Sequence, residues 1–278
     1  MKPLTPPMLT FARPLLLATL IATAASVPAS MSARAETPEQ KGQRIAVAAE
    51  RHDDGFGDFT VQGKMILRTS TGDTSVRAFR DRILEVPGDS DKSVILFDYP
   101  GDVKGVALLT HAHKAGDDDQ WLYLPAMKRV KRISSANRTG SFVGSEFAYE
   151  DFASQEVEKY RHRWLRDEGC PGNVAPQCHV VERVPTDPDS GYARQVVWMD
   201  TEHYRIARID FFDRKNAPLK TLTADGFAVY AGKHWRAARM VMVNRQTGKS
   251  TELQLTGYRF KTGLRDSDFN QSKLTSLP

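Results

Sequence analysis

Thr110-His111-Ala112-His113-Lys114-Ala115-Gly116-Asp117 is the spacing in this chain that comes nearest to chemistry. Two histidines at i and i+2 on a strand point to one face and could share a metal ion. Zinc hydrolases extend such a pair to His-x-His-x-Asp-His, which supplies both ligands and base. Here Ala115 and Gly116 stand where the Asp and the third His are needed. The pair is therefore expected to end a polar strand ahead of the turn at Asp117 to Asp119. No Gly-x-Ser-x-Gly element and no Gly-rich phosphate loop occurs. Asp53-Asp54 and the Asp117 run read as solvated turns. With no complete set of reacting groups, the chain is expected to bind rather than catalyse, without metal or other cofactor.

Cys170 and Cys178 are the only cysteines among 278 residues. Pro171, Gly172 and Pro176 between them suit a tight turn, and an oxidising compartment would favour a disulfide. A zinc site that adds His179 is the competing reading, but it lacks the usual paired spacing. The compartment is read from the first 35 residues. Lys2 and Arg13 supply positive charge, Leu15 to Val27 an apolar core too short to span a membrane, and Ala33-Arg34-Ala35 a small-x-small cleavage site. This is the pattern of a secretory signal peptide cut after Ala35, leaving one exported domain over 36–278. The leader carries Lys2, Arg13 and Arg34 and no acid, so the net charge of +5 falls to +2 on its removal. That is too weak a bias to argue for nucleic acid.

The elements that position these residues read as strands. Thr37-Pro38-Glu39-Gln40 is a helix start with a capping box, and Ile45, Ala48, Ala49 and His52 follow at helical spacing. Phe59, Val61, Met65 and Leu67 then alternate with polar residues. Further β-rich runs follow at short intervals, with hairpin signals at Asp225-Gly226 and Thr247-Gly248. About eleven strands and one helix make a mainly β chain, an antiparallel meander. Within it, Trp121 and Tyr123 point one way while Leu122 and Leu124 point the other, so both faces must be covered there. The loop from Ser134 to Phe152 carries Phe142, Phe147, Tyr149 and Phe152 among small polar residues. Those aromatics either fill the rim of the core or form a lid over a ligand. The basic run Lys128 to Arg132 reads as a solvated strand, or as a contact for a lipid headgroup or acidic partner.

Tyr123-Leu124-Pro125, then Lys128-Arg129-Val130-Lys131-Arg132-Ile133, then Gly144-Ser145-x-Phe147-x-Tyr149-Glu150-Asp151 resembles the signature of the outer membrane lipoprotein-sorting protein family, which is similar to the periplasmic lipoprotein carrier LolA. The resemblance runs from about Gln43 to Phe269. It implies a half-open antiparallel β-barrel with helices and a loop in its mouth, and a monomeric periplasmic carrier that shields the acyl chains of a lipoprotein or lipid. It also implies a resistance-nodulation-division (RND) type inner-membrane exporter as a partner. A LolA-like envelope sensor or transporter accessory protein is the alternative. On this reading Phe59, Val61, Met65, Leu67, Trp121 and Tyr123 line or border the cavity. Phe142 and Phe147 sit on the loop that covers it.

Overall fold

The computed structural model describes Met1 and residues 35–277. Apart from its two end residues, the leader read over 1–35 lies outside the described residues. The first element is α1 (Pro38–Asp53). The Thr37 hydroxyl accepts from the Gln40 N–H at 3.2 Å, and Gln40 Oε1 accepts from the Thr37 N–H at 2.9 Å. The box satisfies two amides that a helix start otherwise leaves free. Ile45 and Ala46 are buried. Gly42 is required by a close approach: a Cβ there would lie 2.6 Å from the Trp164 backbone nitrogen. No helix among the described residues is long and apolar enough to cross a membrane.

The chain then runs through β1 (Asp58–Arg68), β2 (Thr74–Leu84), β3 (Lys92–Tyr99), β4 (Ala107–His111), β5 (Asp119–Leu124) and β6 (Arg129–Ile133). A segment of short 3-10 turns, residues 134–159, leads to β7 (Tyr160–Glu168), β8 (Cys178–Pro185), β9 (Tyr192–Asp200), β10 (Ile206–Asp213) and β11 (Pro218–Asp225). A small hairpin of β12 (Ala228–Tyr230) and β13 (His234–Arg236) precedes β14 (Arg239–Asn244) and β15 (Ser250–Phe260). Thirteen strands make one antiparallel sheet in the order β6-β5-β4-β3-β2-β1-β15-β14-β11-β10-β9-β8-β7. It is two meanders joined at a central seam, where β1 pairs with β15 and Met65 faces Leu253. β6 and β7 remain as edges, so the sheet curls without closing. The half-open β architecture implied by the resemblance is what the protein has. The run from Gln120 to Ile133 supplies two strands because Pro125 ends β5 and Lys128 takes a left-handed conformation (φ 49°) between them.

Both faces of the sheet are covered, as the alternation in β5 requires. The inner face carries the main core: Ile45, Phe59, Val61, Met65, Phe79, Phe97, Leu108, Leu122, Phe211, Met242 and Leu253 belong to it. Gly63 of β1 falls in this row because the Phe79 ring occupies its side-chain position, 2.1 Å from where a Cβ would stand. Outside β3–β5, Val94, Leu96 and Leu109 meet Phe269 and Leu274 of the C-terminal segment. Outside β8–β10, Val180, Val196 and Trp198 lie under the Cys170–Cys178 loop. The two cysteines form the expected disulfide. His179 instead places Nδ1 2.6 Å from Asp167 Oδ1, so the zinc reading is set aside.

Trp121 and Tyr123 correct the sequence reading. They pack on the outer core with Val130, Leu264 and Leu277, and it is Leu122 and Leu124 that face inward. Alternation shows that two faces differ but not which is interior. The cover over Trp121 comes from residues more than 140 positions later in the chain.

Candidate functional site

Segment 134–159 lies against the inner face and is tied down at many points. Phe142 is 0% exposed, with its ring 5.7 Å from that of Phe97 and 4.6 Å from that of Phe152. It is a core residue, not an exposed lid residue, which is the second correction. The Phe147-x-Tyr149-Glu150-Asp151 motif supplies the anchors. Asp151 Oδ2 accepts from Lys220 Nζ at 2.6 Å, and its Oδ1 accepts from the Tyr192 hydroxyl at 2.7 Å. Glu150 accepts from the Ser190 hydroxyl and the Gly191 amide, and burial beside Asp151 pushes its pKa up to about 7. Gln120 Nε2 donates to the Tyr149 carbonyl at 2.9 Å, and Asn244 Nδ2 donates to Glu146 Oε2 at 2.7 Å. Strands from both meanders therefore hold one segment, and it fills the part of the inner face over β1–β5.

Over β10, β11, β14 and β15 the inner face stays open. A cavity of about 550 Å³ lies there between these strands, α1 and the segment. Ile209, Phe211, Leu222, Met240, Leu253 and Tyr258 form its apolar wall, and Phe147 and Phe152 close one side. The β12–β13 hairpin brings Phe227, Trp235 and Arg236 to the rim. Trp235 stacks on His203 with ring centres 4.9 Å apart, and the Arg205 guanidinium lies 4.5 Å from the Trp235 ring. A second cavity of about 440 Å³ shares Ala49, Asp53, Gln155, Arg183 and Ile206 with the first. The first of the two has the size and mix of a small-molecule site, a mostly apolar wall with a few placed polar groups.

Of the residues expected at the site, Phe147 lines the 550 Å³ cavity and Phe59 borders a smaller inner one of about 290 Å³. Val61, Met65 and Leu67 face inward but pack in the filled core. Phe142 belongs to the segment but is buried in the filled core, and Trp121 and Tyr123 are on the other side of the sheet. The wall itself was missed. Pairs such as Ile209/Phe211, Met240/Met242 and Leu253/Leu255 carry the same i, i+2 signal as Phe59/Val61 and mark it in the sequence.

The inner face is also rich in buried carboxyls. Asp81 Oδ1 is shielded from solvent and without a hydrogen-bond partner, and burial pushes its pKa up to about 8. Burial and neighbouring acids push Asp91 up to about 7. His162 is lowered to about 4 by burial and by the nearby Arg183. The two histidines of the opening motif diverge. His111 Nε2 lies 2.7 Å from the Phe269 carbonyl, while His113 Nδ1 lies 2.9 Å from Asp89 Oδ2. Among the described residues, one group of three could present metal-binding atoms together, Glu50, Glu156 and Glu158. Lys114 Nζ already stands 3.4 Å from Glu50 there.

A family model described as an uncharacterized protein matches residues 89–276. No curated protein matches the sequence. Among solved structures, an outer membrane lipoprotein-sorting protein domain from Vibrio parahaemolyticus is 51% identical, with a TM-score of 0.82 over 85% of this chain and 99% of that one. A DUF1329 family protein from Desulfovibrio piger is 28% identical, with a TM-score of 0.79 over 86% and 99%. A LolA superfamily protein from Nitrosomonas europaea shares the fold at 19% identity, with a TM-score of 0.64 over 82% and 97%. By the extent of the first match and the curled, open sheet, the chain belongs to the outer membrane lipoprotein-sorting protein family and has a LolA-like fold.

Proposed function

We propose that this protein is a periplasmic carrier that shelters the acyl chain of a lipid or lipoprotein in the cavity over β10, β11, β14 and β15. The observation that carries the reading is the apolar wall of Ile209, Phe211, Leu222, Met240 and Leu253 around about 550 Å³. An acyl chain leaving a membrane for water loses about 0.8 kcal/mol per methylene, on the order of 10 kcal/mol for a sixteen-carbon chain. An apolar wall removes most of that cost. The name of the 51%-identical domain and the disulfide support a place in the envelope. In this role the protein works as a monomeric single domain over 36–278, produced by cleavage after Ala35, and meets an RND-type exporter at the inner membrane.

Trp235 at the rim reports on occupancy. A fatty-acyl probe is expected to change its fluorescence and to bind with micromolar or better affinity. Met240→Glu is expected to weaken binding at least tenfold, about 1.4 kcal/mol, because a charge on the wall resists desolvation. Probe binding that ignores Met240→Glu places the chain elsewhere. Absence of any binding removes the carrier role. Intact mass of envelope material tests the compartment, with a chain starting at Glu36 and holding no free thiol as the expected result.

A further inference from the structure

One group on the cavity wall does not fit a purely hydrocarbon site. Arg183 of β8 is 7% exposed and lines both the 550 Å³ and the 440 Å³ cavity, where they share residues. Its Nε donates to Gln195 Oε1 and its Nη2 to Gln155 Oε1, each at 2.8 Å. Its guanidinium lies 4.6 Å from the Tyr160 ring centre. Both acceptors are neutral amides, and these bonds use two of its five N–H groups.

The other buried cations are balanced differently. Lys220 has Asp151 at 2.6 Å, and Arg138 has Asp187 at 2.5 Å. Among the described residues no carboxylate pairs with Arg183. The acid that attracts it from a distance is Asp151, which Lys220 and Tyr192 already hold. Burial without a counter-charge lowers its pKa. A guanidinium still keeps its proton, so a positive charge stands in the cavity without a partner. Such a fork fits a carboxylate or phosphate.

We propose that Arg183 binds the anionic head, carboxylate or phosphate, of a single-chain amphiphile whose tail lies along the wall of β10, β11, β14 and β15. The proposal rests on the hydrocarbon reading above and narrows it. The cavity of about 550 Å³ falls in the size range of small-molecule sites, which suits a single acyl chain. A chain joined through an ester or amide, as on a lipoprotein, brings no anion and would leave Arg183 unpaired.

Hexadecanoate, hexadecyl phosphate and hexadecanol titrated into the exported chain test this. At least one anion is expected to bind ten or more times tighter than the alcohol. Whichever anion gains identifies the head. Arg183→Gln should abolish that gain and change hexadecanol affinity less than twofold, while Arg183→Lys should keep part of it. Hexadecanol binding as tightly as both anions to the unaltered protein overturns the proposal, whether or not the variants fold. An anion preference that survives in Arg183→Gln also overturns it. If none of the three probes binds, the carrier reading fails with it, whereas tight hexadecanol binding without anion preference leaves that reading standing.

Discussion

Asp81 is half-buried as a residue, yet its carboxyl oxygen Oδ1 is shielded and unpartnered. Its folded pKa of about 8 lies above the ordinary value near 4, so the folded state holds the proton more tightly than the unfolded one. The resulting stability is fully present below about pH 4 and is lost as pH rises through 8. Asp81→Asn is therefore expected to raise the melting temperature, little at pH 5 and most at pH 9. The gain at pH 9 should be of the order of 2 kcal/mol, because partial exposure discounts the full shift. A gain independent of pH would show that Asp81 is not the titrating group. At this scale the sequence was readable in part. The Cys170–Cys178 pair and the Thr37 cap were legible because each is a local contact. The burial of Phe142 was not, because Phe97 and Phe152, which enclose it, are brought there by the sheet.

Segment 134–159 has little regular structure, and its order comes from side chains of other elements. Lys220 of β11 is the buried cation among these. Lys220→Met should leave Asp151 buried without its cation and lower unfolding stability by about 3–5 kcal/mol in urea titration. Adding Asp151→Asn should restore much of the loss, since no charge is then stranded. A single variant as stable as the parent would mean that the segment is held by its aromatics alone. The disulfide loop does similar work on the outer face, over Val180 and Trp198. Replacing both cysteines with serine should cost about 2–3 kcal/mol for a loop this short. Strands, hairpin turns and the helix start could be read from alternation, Gly positions and capping residues. Which residues of a strand meet the cavity could not. That depends on the part of the inner face the segment fills, and its anchors at Gln120, Tyr192, Lys220 and Asn244 lie on four separate strands.

For the molecule as a whole, Asp81, Asp91 and Glu150 act in one direction. All three have folded pKa values raised to about 7 or 8, so stability should fall between pH 6.5 and 8.5. His162, lowered to about 4, adds stability as pH rises only up to about 6.5 and does not oppose the fall above it. A lower melting temperature at pH 8.5 than at 6.5 is the expected outcome, and a flat profile would contradict it. The open sheet leaves β6 and β7 as edges, and exposed Arg129, Lys131 and Arg132 on β6 discourage pairing with another chain. The central seam has a consequence in time. β1 gains its second neighbour only when β15 arrives, with Gly63 opposite Leu255 across nearly two hundred residues. Each meander can form from neighbours in sequence, but their union waits for almost the whole chain. Contacts this distant slow folding. A chain delivered from its N-terminus would present the bare side of β1 to whatever lies nearby until its last strand arrives.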